Sequence, residues 1–87
     1  MENLPPEFVI RAERARDQLI AQFIYDPDVT MIDVGYEPGK EMTADNIILR
    51  IHVRQRWMNA RKEERTAFPA EVEGIRVVVL PGEYKLE

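Results

Sequence analysis

The residues with the clearest binding chemistry lie in one alternating stretch, residues 47–57, which reads Ile-Ile-Leu-Arg-Ile-His-Val-Arg-Gln-Arg-Trp. In an extended strand successive side chains point to opposite faces, so the three arginines and the histidine here share one face. With the nearest neighbours added, the candidate binding residues are Arg50, His52, Arg54, Arg56, Trp57 and Arg61. Guanidinium groups bind carboxylates or phosphates, and an indole can stack on a base. Trp57 shares the parity of the apolar residues, so packing in the core is its alternative role.

The sequence contains few of the residues that catalysis or metal binding requires. The chain has one histidine, His52, and no cysteine, which excludes a thiol nucleophile, a thiolate metal site and a disulfide. Neighbouring acids such as Glu63 and Glu64 are typical of a solvated surface rather than of a catalytic acid and base. We therefore expect no enzymatic activity, no metal and no cofactor.

Charge is distributed unevenly along the chain, whose net charge is −4. Residues 26–46 contain six acids and one lysine, a net −5, whereas residues 50–65 contain six bases and two acids, a net +4. If the two segments are neighbours in the fold, their charges largely cancel. If they are not, the basic segment presents a positive surface to a partner.

The first element that can position these residues is a helix predicted over residues 6–24. Apolar residues recur at spacings of three and four and form one face, with Ile20 and Ile24 on its flank: Phe8, Ala12, Ala15, Leu19 and Phe23. Pro5 and Pro6 suit the first turn, Asn3 is a candidate cap, and Asp26-Pro27-Asp28 ends the helix.

Residues 29–36 and 47–57 predict two strands, which the polar turn at residues 37–46 joins into a hairpin. One register keeps the apolar residues on a common face, with the pairs Tyr36 and Ile47, Val34 and Leu49, Ile32 and Ile51, and Thr30 and Val53. The same register sets Asp33 opposite Arg50 as a cross-strand pair of opposite charge.

The remaining sequence predicts a short exposed helix or ordered loop at residues 58–67 and a third strand at residues 75–80. With 87 residues and no repeats, the chain is expected to form one α+β domain over residues 1–87. The predicted architecture is an N-terminal helix on a small three-stranded, mainly antiparallel sheet, α-β-β-(α)-β, with strand order 2-1-3. Leu86 and Glu87 are given no structural role.

Three segments share a pattern with a known family. They are Met31-Ile32-Asp33-Val34-Gly35-Tyr36, Ile51-His52-Val53 and Phe68-Pro69-Ala70-Glu71-Val72-Glu73-Gly74-Ile75-Arg76-Val77-Val78-Val79. Over residues 29–80 the chain resembles the small accessory domain that precedes trypsin-like serine peptidase domains in some bacterial and plant proteins. We expect no accompanying peptidase domain, and one histidine without a cysteine offers no triad within these 87 residues, so catalysis does not carry over. The resemblance implies an accessory or interaction domain that stands alone.

No apolar run approaches the roughly 20 residues that span a bilayer, which predicts a cytoplasmic chain without membrane contact. The leading hypothesis is a noncatalytic interaction module that binds another protein through the Arg-rich strand face or a sheet edge. The alternative is a nucleic-acid-binding domain that uses Arg50, Arg54, Arg56 and Trp57. Homodimerisation through an unpaired sheet edge stays open.

Overall fold

The computed structural model describes residues 4–82 of the chain. The α-helices are α1, Pro6–Phe23, and α2, Gln55–Asn59, and the strands are β1, Val29–Tyr36, β2, Ile47–Val53, β3, Glu71–Val72, and β4, Ile75–Pro81. Two 3₁₀ helices, Ala44–Asn46 and Lys62–Glu64, lie in the connections. The predicted α+β class is confirmed. Asn3, Leu86 and Glu87 lie outside the described residues.

Helix α1 confirms the prediction from the apolar spacing and covers one face of the sheet. Pro5 is the N-cap residue and Pro6 begins the helix, where the missing N–H of proline costs no hydrogen bond. Ala12, Ala15 and Leu19 are fully buried against the strands. The small alanines let the helix approach the sheet closely, and Leu19 fills the remaining space between helix and sheet.

The sheet has four strands in the order β1-β2-β4-β3, so the predicted three-stranded sheet with order 2-1-3 is wrong. β1 and β2 are antiparallel, β2 and β4 are parallel, and the short β3 is antiparallel to β4. The C-terminal strand lies beside β2, which is the most deeply buried strand and has a neighbour on each side. Ile48, Leu49, Ile51 and Val53 are all fully buried there, which is typical of a central strand.

The hairpin register is confirmed over most of its length. Tyr36 lies opposite Ile47, and the pairing continues through Val34 with Leu49, Asp33 with Arg50, and Ile32 with Ile51. The prediction for Thr30 is wrong, because the register shifts between Val29 and Met31 and places Val29 opposite Val53. Thr30 lies in this irregularity, and its hydroxyl donates to the carbonyl oxygens of His52 and Gly82. The hydroxyl thus finds acceptors where the regular ladder is interrupted.

The strand predicted to continue to Trp57 ends at Val53, and α2 begins at Gln55. The Arg54 amide still donates to the Asp28 carbonyl oxygen at 2.9 Å, after which the chain turns into a helix. The helix or loop predicted over residues 58–67 is replaced by the end of α2 and the Lys62–Glu64 3₁₀ helix. Alternation at residues 54–57 misled the prediction because a short amphipathic helix also turns Trp57 inward.

The core lies between α1 and the sheet and extends into the crossover that joins β2 to β4. Its buried members include Leu19, Ile32, Leu49, Ile51 and Trp57, with Val77, Val79 and Phe68 packed against them. The rings of Phe23 and Phe68 meet edge to face, with centroids 5.0 Å apart. A parallel pair of strands requires such a crossover, and this one is held to the core by aromatic packing. No helix within residues 4–82 is long and apolar enough to cross a membrane.

Candidate interaction site

Arg50, the centre of the predicted basic face, is held by the acid opposite it. Its Nε donates to Asp33 Oδ1 at 2.8 Å and its Nη2 to Oδ2 at 2.6 Å, a bidentate pair on the face away from α1. The guanidinium lies over Gly35, where an added Cβ would come within 2.5 Å of Cζ. Gly35 therefore makes room for the pair, and the predicted pairing of Asp33 with Arg50 is confirmed.

His52 lies beside this pair and is only 14% exposed in its side chain. Its Nε2 is 3.5 Å from Asp33 Oδ1, and Gly82 lies close to the ring, since a Cβ added there would be only 3.0 Å from Nδ1. Within residues 4–82 no group of three or more His, Cys, Asp or Glu residues is arranged to hold a metal ion. His52 is thus a packed strand residue next to a carboxylate.

The two remaining predicted arginines of the strand region also turn back to the acidic segment. Arg54 Nε donates to the Pro27 carbonyl oxygen at 3.0 Å, and Arg56 forms an ion pair with Asp28. Arg61 is exposed and has no ion pair with any carboxylate of the described part of the chain. The acidic and basic segments are therefore neighbours, and much of the positive charge expected on this face is neutralised inside the domain.

Trp57 is 8% exposed, which agrees with its alternative role as a core residue. Its Nε1 donates to the Thr66 carbonyl oxygen at 3.1 Å. The Arg65 guanidinium lies 4.1 Å from the ring centroid, and the Phe68 ring is 5.5 Å away and tilted by 34°. Because neighbours already cover the indole, it presents no open face on which a base could stack.

A pocket of about 280 Å³ opens next to Trp57, on the face of the sheet that carries α1. The apolar side chains that line it include Trp57, Phe68, Val77 and Val79, and the charged residues that line it are Lys62 and Arg65. Neither cation forms an ion pair with a carboxylate of residues 4–82. The pocket therefore combines an apolar floor with positive charge that no described acid neutralises.

The outer edge of β4 runs beside this pocket. The amide of Gly82 donates to the Val53 carbonyl oxygen on the β2 side, whereas the amide of Val77 donates to Ala70 on the other side, each at 2.9 Å. Backbone groups of successive strand residues point to alternate edges, so the N–H and C=O of Val79 point outward like those of Val77. Since β3 pairs only with Ile75 and Arg76, no strand of the described chain lies beside Val79. Its backbone groups and its side chain thus border one site.

Pro81 marks the end of this open edge. It belongs to β4 and lies opposite Val53, and its nitrogen points outward by the same alternation. Proline is tolerated at that position because its missing N–H removes no bond from the ladder with β2. Prolines also discourage indiscriminate pairing of sheet edges. The open part of the β4 edge is therefore short and bounded.

The sequence prediction and this site overlap only in part. Trp57 was among the predicted residues, and it forms the floor of the pocket rather than a stacking surface. The sequence predicts Val77 and Val79 only as part of a strand, and it counts Lys62 and Arg65 only among the six bases of residues 50–65. An available signal was the pair of aromatic residues, Trp57 and Phe68, that encloses a basic segment within one crossover.

Comparison with known proteins gave no match to a family model, to a curated protein or to a solved structure. The resemblance to accessory domains of trypsin-like peptidases therefore stays a prediction.

Proposed function

We propose that this chain is a noncatalytic protein-interaction module that binds an extended, acidic segment of a partner protein along the outer edge of β4. The observation that carries the proposal is the juxtaposition at Val79, whose backbone groups face an open edge while its side chain lines the pocket. A bound segment would add a strand to the sheet and place one side chain in the pocket. Backbone hydrogen bonds would supply affinity and the pocket would supply sequence preference.

The dimensions of the site favour one anchoring side chain. The pocket of about 280 Å³ lies near the lower end of volumes that hold small-molecule ligands, so a single large apolar side chain fills much of it. Phe68 and the small exposed part of Trp57 line the pocket and give an anchoring residue a rigid apolar surface to pack against. An apolar or aromatic anchor is therefore the expected central residue of the bound segment.

The charges at the site favour an acidic neighbour next to that anchor. Lys62 and Arg65 line the pocket without a carboxylate partner among residues 4–82, and no acid lines the pocket with them. Arg65 is further oriented by stacking on Trp57, and its Nη1 donates to the Trp57 carbonyl oxygen at 3.4 Å. A partner carboxylate would gain attraction from both cations and would bind faster at low salt.

The Arg-rich face and the nucleic-acid alternative have weaker support. Arg50 and Arg56 form ion pairs with Asp33 and Asp28, and binding phosphate there would require those pairs to break. Trp57 is covered by Phe68 and Arg65 and does not offer a stacking surface. These contacts lead us to prefer the β4 edge over the strand face as the binding site.

The proposal is tested by selecting short random peptides for binding to the full chain and measuring the affinity of the best by calorimetry. We expect selected peptides to share an apolar anchor next to Asp or Glu. Lys62→Glu should weaken the best peptide about tenfold, because it replaces attraction with repulsion at the pocket. Selection of peptides without acids, or of none at all, contradicts the proposed site.

Arg61→Glu is the matched control. Arg61 and Lys62 are adjacent and exposed, and both substitutions change the charge by the same amount, but only Lys62 lines the pocket. We expect Arg61→Glu to change peptide affinity much less than Lys62→Glu. Equal effects would assign the binding to the general basic surface, and tighter binding of an oligonucleotide than of any peptide would favour the nucleic-acid alternative.

A further inference from the structure

The second open edge of the sheet belongs to β1, on the side opposite the β4 edge. The Glu37 amide donates to the Asn46 carbonyl oxygen at 2.8 Å, so residues that alternate with Glu37 face β2. The residues between them, Ile32, Val34 and Tyr36, direct their N–H and C=O groups away from β2. β1 is the terminal strand of the described sheet, and no strand within residues 4–82 pairs with these groups.

We infer that β1 of one copy pairs antiparallel with β1 of a second copy, about a two-fold axis at Val34, to form a homodimer with a continuous sheet. In this register Val34 lies opposite the partner's Val34, and Ile32 lies opposite the partner's Tyr36. The two-fold axis makes the Ile32–Tyr36 pair occur twice, so three facing pairs exchange two hydrogen bonds each, about six across the interface. A two-fold interface uses the same surface on both copies, so no further partner site is needed.

Charge selects this register over those centred on neighbouring odd positions. An axis at Asp33 would set the two Asp33 carboxylates directly opposite each other, and an axis at Gly35 would set Asp33 opposite the partner's Glu37. Like charges in directly opposed positions destabilise a strand pair. The axis at Val34 instead places Asp33 opposite the partner's Gly35, over which the partner's Arg50 guanidinium lies. That cation lessens the repulsion between the two carboxylates.

Backbone geometry disfavours the registers centred two residues away. An axis at Ile32 would pair Val34 with the partner's Thr30, which lies in the irregular part of the β1 ladder. An axis at Tyr36 would pair Val34 with the partner's Pro38, which has no N–H to donate. The register centred on Val34 is therefore the one that uses all outward groups of Ile32, Val34 and Tyr36.

Space and side-chain orientation are compatible with this arrangement. An open depression of about 430 Å³, lined by Gly35, Tyr36 and Arg50 among others, borders the edge and can admit a partner side chain. Directly opposed residues of an antiparallel pair point to the same face, so the apolar face beneath α1 continues into the second copy. Few features of β1 oppose such pairing. The strand contains no proline or lysine, and its one irregularity lies at Thr30, outside the paired residues.

Sedimentation of the full wild-type chain from micromolar to millimolar concentration tests the dimer. We expect the weight-average mass to rise from one chain towards two. Val34→Pro should lower the association constant about tenfold or more, because it removes the amide hydrogens at the axis and none from the β1–β2 ladder. Circular dichroism checks that this variant is folded. A wild-type mass of one chain at every concentration overturns the inference whatever the variant does.

Disulfide cross-linking tests the register. The chain has no cysteine, so a single Val34→Cys substitution introduces the one thiol. The facing Cα atoms would be about 5.5 Å apart, within the roughly 4.4–6.8 Å that a disulfide spans. Met31→Cys is the control, since Met31 is exposed on the same strand and the register separates its two copies by about 20 Å. Mild oxidation should cross-link Val34→Cys, whereas equal cross-linking of Met31→Cys overturns the register.

Discussion

The two outer edges of the sheet differ in length, in charge and in what lies beside them. The β1 edge presents a longer row of outward backbone groups, and the one acid within β1, Asp33, is paired with Arg50. The β4 edge is partly covered by β3 and ends at Pro81, but a pocket with two cations lies beside its open part. The β1 edge also borders an open depression, but its long row of outward backbone groups suits pairing with a copy of itself. The apolar pocket beside the short β4 edge can instead distinguish one partner sequence from another.

This difference separates two sources of binding energy. Pairing at the β1 edge relies on backbone hydrogen bonds and on the absence of opposed like charges, both of which a two-fold axis at Val34 provides. Binding at the β4 edge offers few backbone bonds, so the pocket and the charges of Lys62 and Arg65 must contribute most of the affinity. Changes to the core beneath the pocket should therefore affect the β4 edge far more than the β1 edge.

Trp57→Ala should produce the largest effect and separate the two edges most clearly. The indole is 8% exposed, supports Arg65 and Phe68, and donates to the Thr66 carbonyl oxygen. Its loss should cost about 3–5 kcal/mol of unfolding free energy in urea denaturation. Below the unfolding transition, we expect peptide binding to be lost while concentration-dependent dimerisation remains.

Trp57→Phe is the milder companion variant. It keeps an aromatic ring in the pocket floor but removes the donor to Thr66, so it should cost less than Trp57→Ala. If Trp57→Ala costs under about 0.5 kcal/mol, the range typical of surface positions, the described packing of the crossover is incorrect.

Leu49→Ala should destabilise the domain without distinguishing the edges. Leu49 is fully buried in β2, opposite Val34 on one side and Val77 on the other. The cavity should cost about 2–5 kcal/mol, a large share of the stability of a small domain. Urea denaturation gives the fraction of folded protein. Once binding is corrected for that fraction, the association constant of the dimer and the affinity for peptide should fall to a similar small extent. Loss of dimerisation alone, or of peptide binding alone, would contradict the expectation that Leu49 supports both edges equally.

Arg50→Gln should produce the smallest effect and act on the β1 side only. The pair with Asp33 is partly exposed, so its removal should cost roughly 0.2–1 kcal/mol of stability in urea denaturation. Without the guanidinium over Gly35, nothing lessens the repulsion between the two Asp33 carboxylates across the interface, and dimerisation should weaken more than stability does. Arg76→Gln is a control with the same charge change, since Arg76 lies on β4 and pairs with Glu37, which the register places opposite the partner's Met31 rather than near an acid. If Arg50→Gln weakened peptide binding, the assignment of Arg50 to the β1 edge alone would be contradicted.

The features predicted from sequence are those that local periodicity determines. The spacing of Ala12, Ala15 and Leu19 predicts α1, and the alternation around Asp33 and Arg50 predicts the hairpin register, because a slip by one residue would expose an apolar face. Alternation does not specify which strand lies beside which, so the position of β4 was missed. The consecutive apolar residues Ile47–Leu49 were the available signal that β2 is central.

The candidate site was harder to predict because it depends on contacts across the crossover. Arg54 and Arg56 lie at positions that suggested a basic face, but their partners, Pro27 and Asp28, come from the turn before β1. Lys62 and Arg65 become part of a pocket because Trp57 and Phe68, which line it with them, pack against the core. Sequence spacing alone does not reveal which charges find partners in the folded chain.

Hydrogen exchange of single backbone amides tests the contrast between the two edges most directly. Raising the concentration of the full chain should slow exchange at Ile32, Val34 and Tyr36 and leave Val79 unchanged. Adding the best selected peptide at low chain concentration should slow exchange at Val79 and leave the three β1 amides unchanged. Slower exchange at Val79 on concentration alone, or at the β1 amides on addition of peptide, would contradict the account.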